Sequence, residues 1–554
     1  RIYGLTGRLT PTDAGFDFEF TGGNFALDAA AVPLEAARGK AHKIADRFDV
    51  EINRAFFNGL EFGNANISVT KLDAPEPEVG ADFVIRGDIE RVIGVLERPP
   101  FNLNRPMFKP KGLSGSAILR TALKFPASER LTIDQIKPGI IGRLAGIKFD
   151  EGPMGAALSK GDFNVNFGND YLEFSGNAEV NGVPAHVSWQ EELSDRASYR
   201  SNFVFVGQIG DSEIAKLLPD AVPYVSGAVK TRIEYTDYDR KNSVAFMSAD
   251  LTNAAVTIRQ LQVDKKRGVR GEGRATIRFV DGKPTAVEPF DINLEGSLTA
   301  AGNAIFAPNG DVTRASFSRL AFGGADGTSI RFAQINRSDK GFEIQLVGDR
   351  LSVDPLINST DGGDLKQPFG IGARFDRILI DENRELKDVA LQARYDGSVW
   401  RAVKVAAKLP GGSSLEVAMQ ETGGPRTIVI KSDSAAQSLK FALPGGAFDS
   451  LDGGAIDIRA NIKGFGVPED AGLPKGMEID GRVEISKFRL LPSEAVQTAC
   501  KVTLSDSVSN AGMDFDLMQV DLLAKGTGIS IRNLTARGKP MGLRARGDID
   551  FQAK

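Results

Sequence analysis

Residues 113–123 read Leu113-Ser-Gly-Ser-Ala-Ile-Leu-Arg-Thr-Ala-Leu123, a turn of small residues followed by a strand in which apolar and polar side chains alternate. Because successive side chains of a strand point to opposite faces of a sheet, the alternation gives one apolar and one wet face. The pattern returns along the whole chain without a helical layer, for example from Phe174, Val225, Val269, Leu294, Leu451, Ile479 and Leu543. It predicts a mostly β protein with a very long, curled antiparallel sheet, an elongated hydrophobic groove and a few short helices.

The length of the chain makes curling necessary. At about 11 residues per strand and turn, 554 residues hold on the order of 50 strands, so a single ladder would be roughly 200 to 250 Å long. A flat sheet of that length would expose its apolar face to water, which favours aggregation. Curling hides that face and leaves a trough. The same alternation also fits a series of closed sandwiches, each with its own dry core.

The more apolar phase of the strands supplies the candidate lining of the groove. If that phase faces inward, the lining comprises Phe16, Phe18, Phe20, Leu119, Leu123, Phe125, Phe163, Val165, Phe167, Val229, Ile233, Ile277, Phe279, Ile330, Phe332, Phe342, Ile344, Leu346, Ile428, Ile430, Ile456 and Ile458. Helical spacing interrupts the strands near 88–98, where Asp88 can cap a helix, and near 211–218. A third candidate helix begins at Pro492.

The composition limits the function. Lysine and arginine number 68 against 72 acidic residues, and this balance gives no basic footprint for nucleic acid. Phenylalanine is frequent (34) beside 7 Tyr and 2 Trp, which is typical of a dry core or of a surface built for hydrocarbon. The single cysteine, Cys500, excludes an intramolecular disulfide framework. No run approaches the roughly 20 apolar residues that span a bilayer.

Motifs for catalysis are missing from the sequence. The two histidines, His42 and His186, lie in unrelated contexts, and His186 falls on the polar phase of its strand. HExxH, paired cysteines and Gly-x-Ser-x-Gly are absent. Asp162 to Glu173 imitates a calcium loop, but Phe167 stands where that loop needs glycine. Carboxylates are abundant, yet no pair points to glycoside hydrolysis. We therefore predict no enzyme, no cofactor and no metal site.

Several segments resemble a known family. They are Arg86-Gly-Asp-Ile-Glu-Arg-Val-Ile-Gly-Val-Leu-Glu-Arg-Pro-Pro-Phe101 with Leu113 to Leu119, Phe174 to Glu191, Tyr224-Val-Ser-Gly-Ala-Val229 and the closing region from Phe515 to Phe551. Together they resemble the large AsmA-like proteins of Gram-negative bacteria, the YhdP group in particular. Ala499 to Ser509 departs from the pattern, because it is more polar than the leucine-rich amphipathic helix of the family.

The resemblance implies a bridge-like lipid transfer protein. Such a protein is anchored in the inner membrane by an N-terminal helix absent from this chain, crosses the periplasm and carries phospholipid toward the outer membrane in a taco-shaped β-groove. Its partners are then phospholipids, the two membranes and other envelope proteins. On this basis residues 1–490 form the repeating groove segment and residues 491–554 an AsmA-like C-terminal portion. Because the chain begins at Arg1, we expect a segment of a longer protein.

Sliding of lipid along a repeating lining predicts weak headgroup specificity. Two further interpretations stay open. One is a scaffold that assists outer-membrane protein assembly by offering strand edges to a client. The other is a structural β-rich rod with closed cores and no lipid.

Overall fold

The structure, a computed structural model, describes residues 2–3, 6–25, 34–96, 111–127, 135–152, 155–168, 170–194, 196–239, 241–324, 327–353, 367–381, 383–398, 400–421, 426–443, 446, 448–463, 477–492, 512–526, 528–539 and 542–550. It confirms the predicted fold class: the chain is mostly β, a very long, curled antiparallel sheet with short helices. The chain divides into two compact units, unit 1 (Arg1–Val256 and Lys266–Glu288) and unit 2 (Thr257–Lys265 and Pro289–Lys554).

Most strands of unit 1 are 9 to 13 residues long, the length that the alternating segments predict. They are β1 (Ile2–Tyr3), β2 (Thr6–Thr12), β3 (Gly15–Phe25), β4 (Leu34–Ile44), β5 (Arg47–Phe57), β6 (Leu60–Thr70), β7 (Glu78–Asp88), β8 (Ser114–Pro126), β9 (Lys137–Phe149), β10 (Leu158–Phe167), β11 (Tyr171–Val180), β12 (Val183–Glu192), β13 (Ser201–Ile209), β14 (Val225–Gly227), β15 (Val229–Asp237) and β16 (Asn242–Asp250). In chain order they are followed by β17 (Ala254–Ile258), β18 (Val263–Lys265), β19 (Gly271–Val280) and β20 (Lys283–Leu294), of which β18 belongs to unit 2 and β17 and β20 cross the bounds of the units.

Unit 1 is an antiparallel ladder. Strands β2 to β13 pair in chain order, β13 pairs with β15, β15 with β16 and β16 with β19. Short strand β14 leaves this ladder and pairs with β17 in a separate small sheet. The apolar phase of the ladder is buried in two clusters, one along β3 to β8 and one along β8 to β13.

Both helices predicted for this part of the chain are present. Helix α1 (Ile89–Leu96) follows β7 directly, and helix α2 (Asp211–Leu217) follows β13. The Glu213 carboxylate accepts a hydrogen bond from the Gly210 backbone N–H at 2.9 Å and so fixes the start of α2. Ile214 is the buried residue of α2 and packs against Val229 and Ala254.

The glycine inside α1 gives a first prediction. A Cβ at Gly94 would meet no atom within 4 Å, and its backbone is helical. Because alanine loses less backbone entropy than glycine in a helix, Gly94→Ala should raise the free energy of unfolding by about 0.5 to 1 kcal/mol. Urea denaturation of the two proteins side by side measures the difference. A decrease would mean that α1 needs the flexibility of Gly94.

Unit 2 continues with strands of similar length: β21 (Leu298–Phe306), β22 (Val312–Phe322), β23 (Thr328–Ser338), β24 (Gly341–Ser352), β25 (Phe369–Leu379), β26 (Glu385–Tyr395), β27 (Trp400–Lys408), β28 (Ser414–Glu421), β29 (Arg426–Ser432), β30 (Leu451–Lys463), β31 (Glu478–Leu490), β32 (Met513–Lys525), β33 (Gly528–Gly538) and β34 (Gly542–Asp550). They pair in chain order. Phe369, Tyr395 and Trp400 form a ring cluster with centroids 5.2 to 5.5 Å apart.

Two features of unit 2 differ from the sequence expectation of strands and turns in an antiparallel meander. Strands β24 and β25 pair in parallel. A third helix, α3 (Ala435–Ala442), lies where the sequence pattern predicts strand and turn. Its N-cap is Ser434, whose hydroxyl accepts a hydrogen bond from the Gln437 N–H at 3.3 Å. Ala435 and Ala436 are small enough to bury α3 against the sheet beside Ile456, Ile485 and Phe515.

The domain boundary predicted at residue 490 remains a prediction. The chain passes from one compact unit to the other within residues 257–289. The helix predicted from Pro492 and the residue Cys500 lie outside the described residues, apart from Pro492 itself.

Candidate functional site

An apolar cavity lies in unit 1, on the inner face of β8 to β13 and beside α1. Its volume is about 130 Å³, within about 1050 Å³ of space that opens to solvent. For comparison, an engineered apolar cavity of about 150 Å³ stays dry and binds benzene. The lining consists of Ile89, Val92, Ile93, Leu113, Leu119, Ile140, Leu144, Ile147, Phe149, Leu158, Phe163, Val165, Phe167, Leu172, Phe174, Val187, Trp189, Glu191 and Phe203.

The alternation of β10 places its rings in the cavity. Phe163, Val165 and Phe167 are 6 to 7% exposed, whereas the intervening Asn164 lies on the outer face. Across the ladder, Phe163 stands opposite Gly176 of β11. A Cβ at Gly176 would lie 1.8 Å from the Asp162 carbonyl oxygen, so only glycine permits this close approach of the two strands.

Helix α1 covers one side of the cavity. Its amphipathic spacing buries Ile89 and Val92 against the sheet and turns Arg91 outward. Arg91 lies 3.3 Å from the Asp88 carboxylate and 3.4 Å from the Asn58 carbonyl oxygen. These contacts hold the helix over the apolar floor.

The polar feature of the lining is formed by Trp189 and Glu191, both on the inward phase of β12. The Trp189 indole N–H lies 2.8 Å from a Glu191 carboxylate oxygen and 3.0 Å from the Ser201 hydroxyl. Glu191 is only 9% exposed. Burial raises the pKa of the Glu191 carboxyl, while hydrogen bonds from Ser201 and Trp189 and the charge of Arg200 act in the opposite direction.

This shift makes the stability of unit 1 depend on pH. A carboxyl whose pKa is raised by folding contributes stability that is fully present below its unfolded pKa, about 4.3, and is lost as pH rises through the folded value. Glu191→Gln removes the titration and keeps an oxygen for the Trp189 indole. Relative to wild type, we expect the melting temperature of this variant to rise progressively above pH 4.3. Thermal unfolding between pH 4 and 8 measures it, with exposed Glu173→Gln as the control. A difference independent of pH would contradict the assignment.

The structure places the predicted lining residues in several groups. Leu119, Phe163, Val165 and Phe167 line the cavity, and Ile233 packs beside it. Phe18, Phe20, Leu123 and Phe125 belong to the cluster along β3 to β8, and Val229 packs on α2. In unit 2, Ile330 and Leu346 share one cluster, and Ile456 and Ile458 share another below α3. The rest of the inward phase is half-buried: Phe16, Ile277, Phe279, Phe342, Ile344, Ile428 and Ile430.

Among the predicted lining residues, Phe332 is the one that the structure places on the outer face. Its side chain is 41% exposed, whereas Ile330 is 6% exposed and Ala333 2%. The register against β24 shifts between Ile330 and Phe332, so a bulge turns Phe332 to the outer face. The sequence pattern does not reveal such a shift, because it assumes an unbroken period of two.

Partial exposure of the other apolar residues has a structural meaning. Ile277, Ile344 and Ile430 lie on the same phase as buried neighbours, yet each is only half-buried. In a closed sandwich a second layer would cover such residues. The described parts of both units therefore leave apolar inward surface uncovered by protein.

The sequence interpretation missed the polar end of the cavity. In Val183 to Glu192 every second residue points inward, which puts Trp189 and Glu191 on the apolar phase. A carboxylate on an otherwise apolar phase is the signal that could have identified this position. The contribution of Ile89, Val92 and Ile93 was also missed, although their helix was predicted.

The other polar candidates stay on the surface. His186 is exposed and hydrogen-bonded to Asn177 at 3.1 Å and Ser175 at 3.3 Å, as its strand phase predicts. His42 contacts Asp17 on an exposed face. Asp162, the first residue of the calcium-like segment, pairs with Arg143 at 3.0 Å. Within the described residues, no group of three or more His, Cys, Asp or Glu side chains is arranged to hold a metal ion.

Comparison with known proteins gives no relative: no family model, no curated protein and no solved structure matches this chain. Among the described residues, none of the helices has the length and apolar character needed to cross a membrane.

Proposed function

We propose that this chain is a conduit for phospholipids, whose acyl chains lie on the apolar inward phase of the sheet. The observation that carries the proposal is the cavity of unit 1, an apolar space that the protein itself leaves unfilled. The half-buried Ile277, Ile344 and Ile430 support it, because hydrocarbon would cover surface that protein leaves open.

The energetics favour acyl chains as the occupant. Each buried methylene is worth about 0.8 kcal/mol, so two long chains gain on the order of 20 kcal/mol before the costs of binding. Since successive strands offer similar apolar rows, a chain can move from one row to the next without entering water. The resemblance to AsmA-like proteins suggests where this would occur, namely in the periplasm between the inner and outer membranes.

The first test is mass spectrometry of lipid extracted from the purified, detergent-free protein, quantified per chain. The proposal expects several phospholipids per molecule. A folded protein without lipid would favour the closed β-rich rod. A protein that instead carries bound polypeptide would favour the assembly scaffold.

A second test locates the lipid. The two tryptophans lie in different units, Trp189 in the cavity of unit 1 and Trp400 in unit 2, so Trp400→Phe leaves Trp189 as the single reporter. Phospholipids with brominated acyl chains, supplied as vesicles, should then quench the fluorescence of Trp189. The matched variant Trp189→Phe retains Trp400 and shows how much quenching arises outside the cavity. Unchanged Trp189 fluorescence in a lipid-loaded protein would place the acyl chains elsewhere.

A further inference from the structure

A row of polar side chains starts at Glu191, which lines the cavity, and continues across the neighbouring strands away from it. In the antiparallel register, Glu191 of β12 faces Ser201 of β13, Ser201 faces Asp237 of β15, and Asp237 faces Ser243 of β16. All four are on the inward phase, within the first two or last two positions of their strands. We call Glu191, Ser201, Asp237 and Ser243 the polar row.

The polar row is confined to these strands. At the same level of the ladder, Glu191 faces Leu172 of β11, and Leu172 faces Phe167 of β10. On the other side Ser243 faces Phe279 of β19. Apolar residues thus flank the row at both ends, so the row is a local site rather than a general border of the sheet.

One step inward, the lining is aromatic. Trp189, Phe203 and Tyr235 face one another across β12, β13 and β15. Residues two apart in a strand are separated by about 7 Å. The distance between the polar row and the aromatic row is therefore no longer than a lipid headgroup. The Tyr235 hydroxyl donates to Ser243 at 2.8 Å, and the Trp189 indole donates to Glu191 and Ser201, which ties the two rows together.

The charge of the row is acidic. Glu191 and Asp237 are carboxylates, and the cation beside them is Arg200, which lies 3.1 Å from Asp237. Arg200 and Asp237 are 34% and 20% exposed, so this pair is partly shielded from water. An ammonium group would add a charge-assisted contact to the Glu191 carboxylate, which already accepts from the Trp189 indole, whereas an anionic headgroup would meet repulsion.

We propose that the polar row is a headgroup subsite selective for the ammonium group of phosphoethanolamine-type lipids, whose acyl chains occupy the adjoining cavity. This inference rests on the proposed lipid conduit and deepens it. It also departs from the weak headgroup specificity expected from a uniform lining, because the lining is not uniform at β12 to β16.

The test is a competition. The whole chain is incubated with vesicles containing equal amounts of phosphoethanolamine and phosphoglycerol lipids with identical acyl chains, then separated from vesicles, and its bound lipids are quantified. We expect wild type to carry more ethanolamine lipid than glycerol lipid, by up to about one molecule per chain, because the roughly tenfold preference that one charge-assisted hydrogen bond supplies acts at this one subsite. Glu191→Gln should remove this excess and bring the ratio close to one. Asp237→Asn, which leaves Arg200 uncompensated, should favour the phosphoglycerol lipid.

Glu173→Gln is the control, because this exposed glutamate lies on the outer face of the neighbouring β11. Its lipid ratio should equal that of wild type. Lipid bound by wild type at a ratio near one would overturn the headgroup subsite and leave the conduit standing. No lipid on any of the proteins would overturn both.

Discussion

Ile140→Asp is expected to lower the free energy of unfolding of unit 1 by more than about 4 kcal/mol and to remove lipid from the cavity. Ile140 is 8% exposed and lines the apolar floor, opposite Phe167 on one side and Thr121 on the other. A carboxylate at this position finds no charged partner among the lining residues that face it. It must either stay ionised in hydrocarbon or take up a proton, and both reduce stability near neutral pH.

The neighbouring residue supplies a matched control. Ile141 is 57% exposed and points to the outer face, where Arg120 of β8 stands opposite. Ile141→Asp introduces the same charge one residue away, yet it should change the free energy of unfolding by no more than about 0.5 kcal/mol. Its lipid content should equal that of wild type.

Both variants are best measured in the Trp400→Phe background. Urea denaturation followed by Trp189 fluorescence then reports unit 1, and extraction followed by mass spectrometry reports lipid per chain. Equal behaviour of the two aspartate variants would show that the two faces of β9 do not differ as the structure indicates. An Ile140→Asp protein that stays folded and keeps full lipid would contradict acyl binding in this cavity.

Phe163→Ala should separate stability from lipid binding. The Phe163 ring is 6% exposed, and its removal should cost about 3 to 5 kcal/mol in the free energy of unfolding. Unlike aspartate at 140, alanine leaves the lining apolar and enlarges the space. We therefore expect lipid per chain to be retained, measured by the same extraction on protein kept well below its unfolding temperature.

Phe246→Ala is the control for this second prediction. Phe246 of β16 is 40% exposed on the outer face, so its truncation should cost under about 1 kcal/mol. Similar costs for both phenylalanines would show that Phe163 is not part of a packed core. Loss of lipid from a folded Phe163→Ala protein would show that this ring, rather than apolar space as such, holds the acyl chain.

The strands were predictable because their signal is local. Phe163, Val165 and Phe167 alternate with polar residues, and a period of two needs no distant information. The same holds for α1, whose helical spacing follows Asp88. In both segments, local propensity and the tertiary structure agree.

The features that the sequence did not predict also have specific physical causes. Phe332 is displaced by a bulge, which depends on pairing with β24 rather than on the sequence of β23 alone. Helix α3 is short, and its alanines carry little hydrophobic periodicity, so its Ser434 cap was the main signal. Glu191 is not found by a prediction that takes the lining from apolar residues alone, because it is a charged residue on the apolar phase. The cavity itself depends on the register of six strands, which the sequence does not specify.

The parallel pairing of β24 and β25 has a consequence for how the protein folds. Ser338 and Gly341 begin the β23–β24 hairpin only three positions apart, whereas every β24–β25 pair, such as Phe342 with Phe369, joins residues 27 apart. Hairpins close rapidly and extend pair by pair, while a parallel pair must first close a long loop. We expect β21–β24 and β25–β34 to form as two separate antiparallel ladders. The two ladders then pair last, between β24 and β25. During synthesis on the ribosome, the edge of β24 would thus stay unpaired for longer than the edge of a strand whose partner follows in a tight hairpin, which gives a chaperone time to act there.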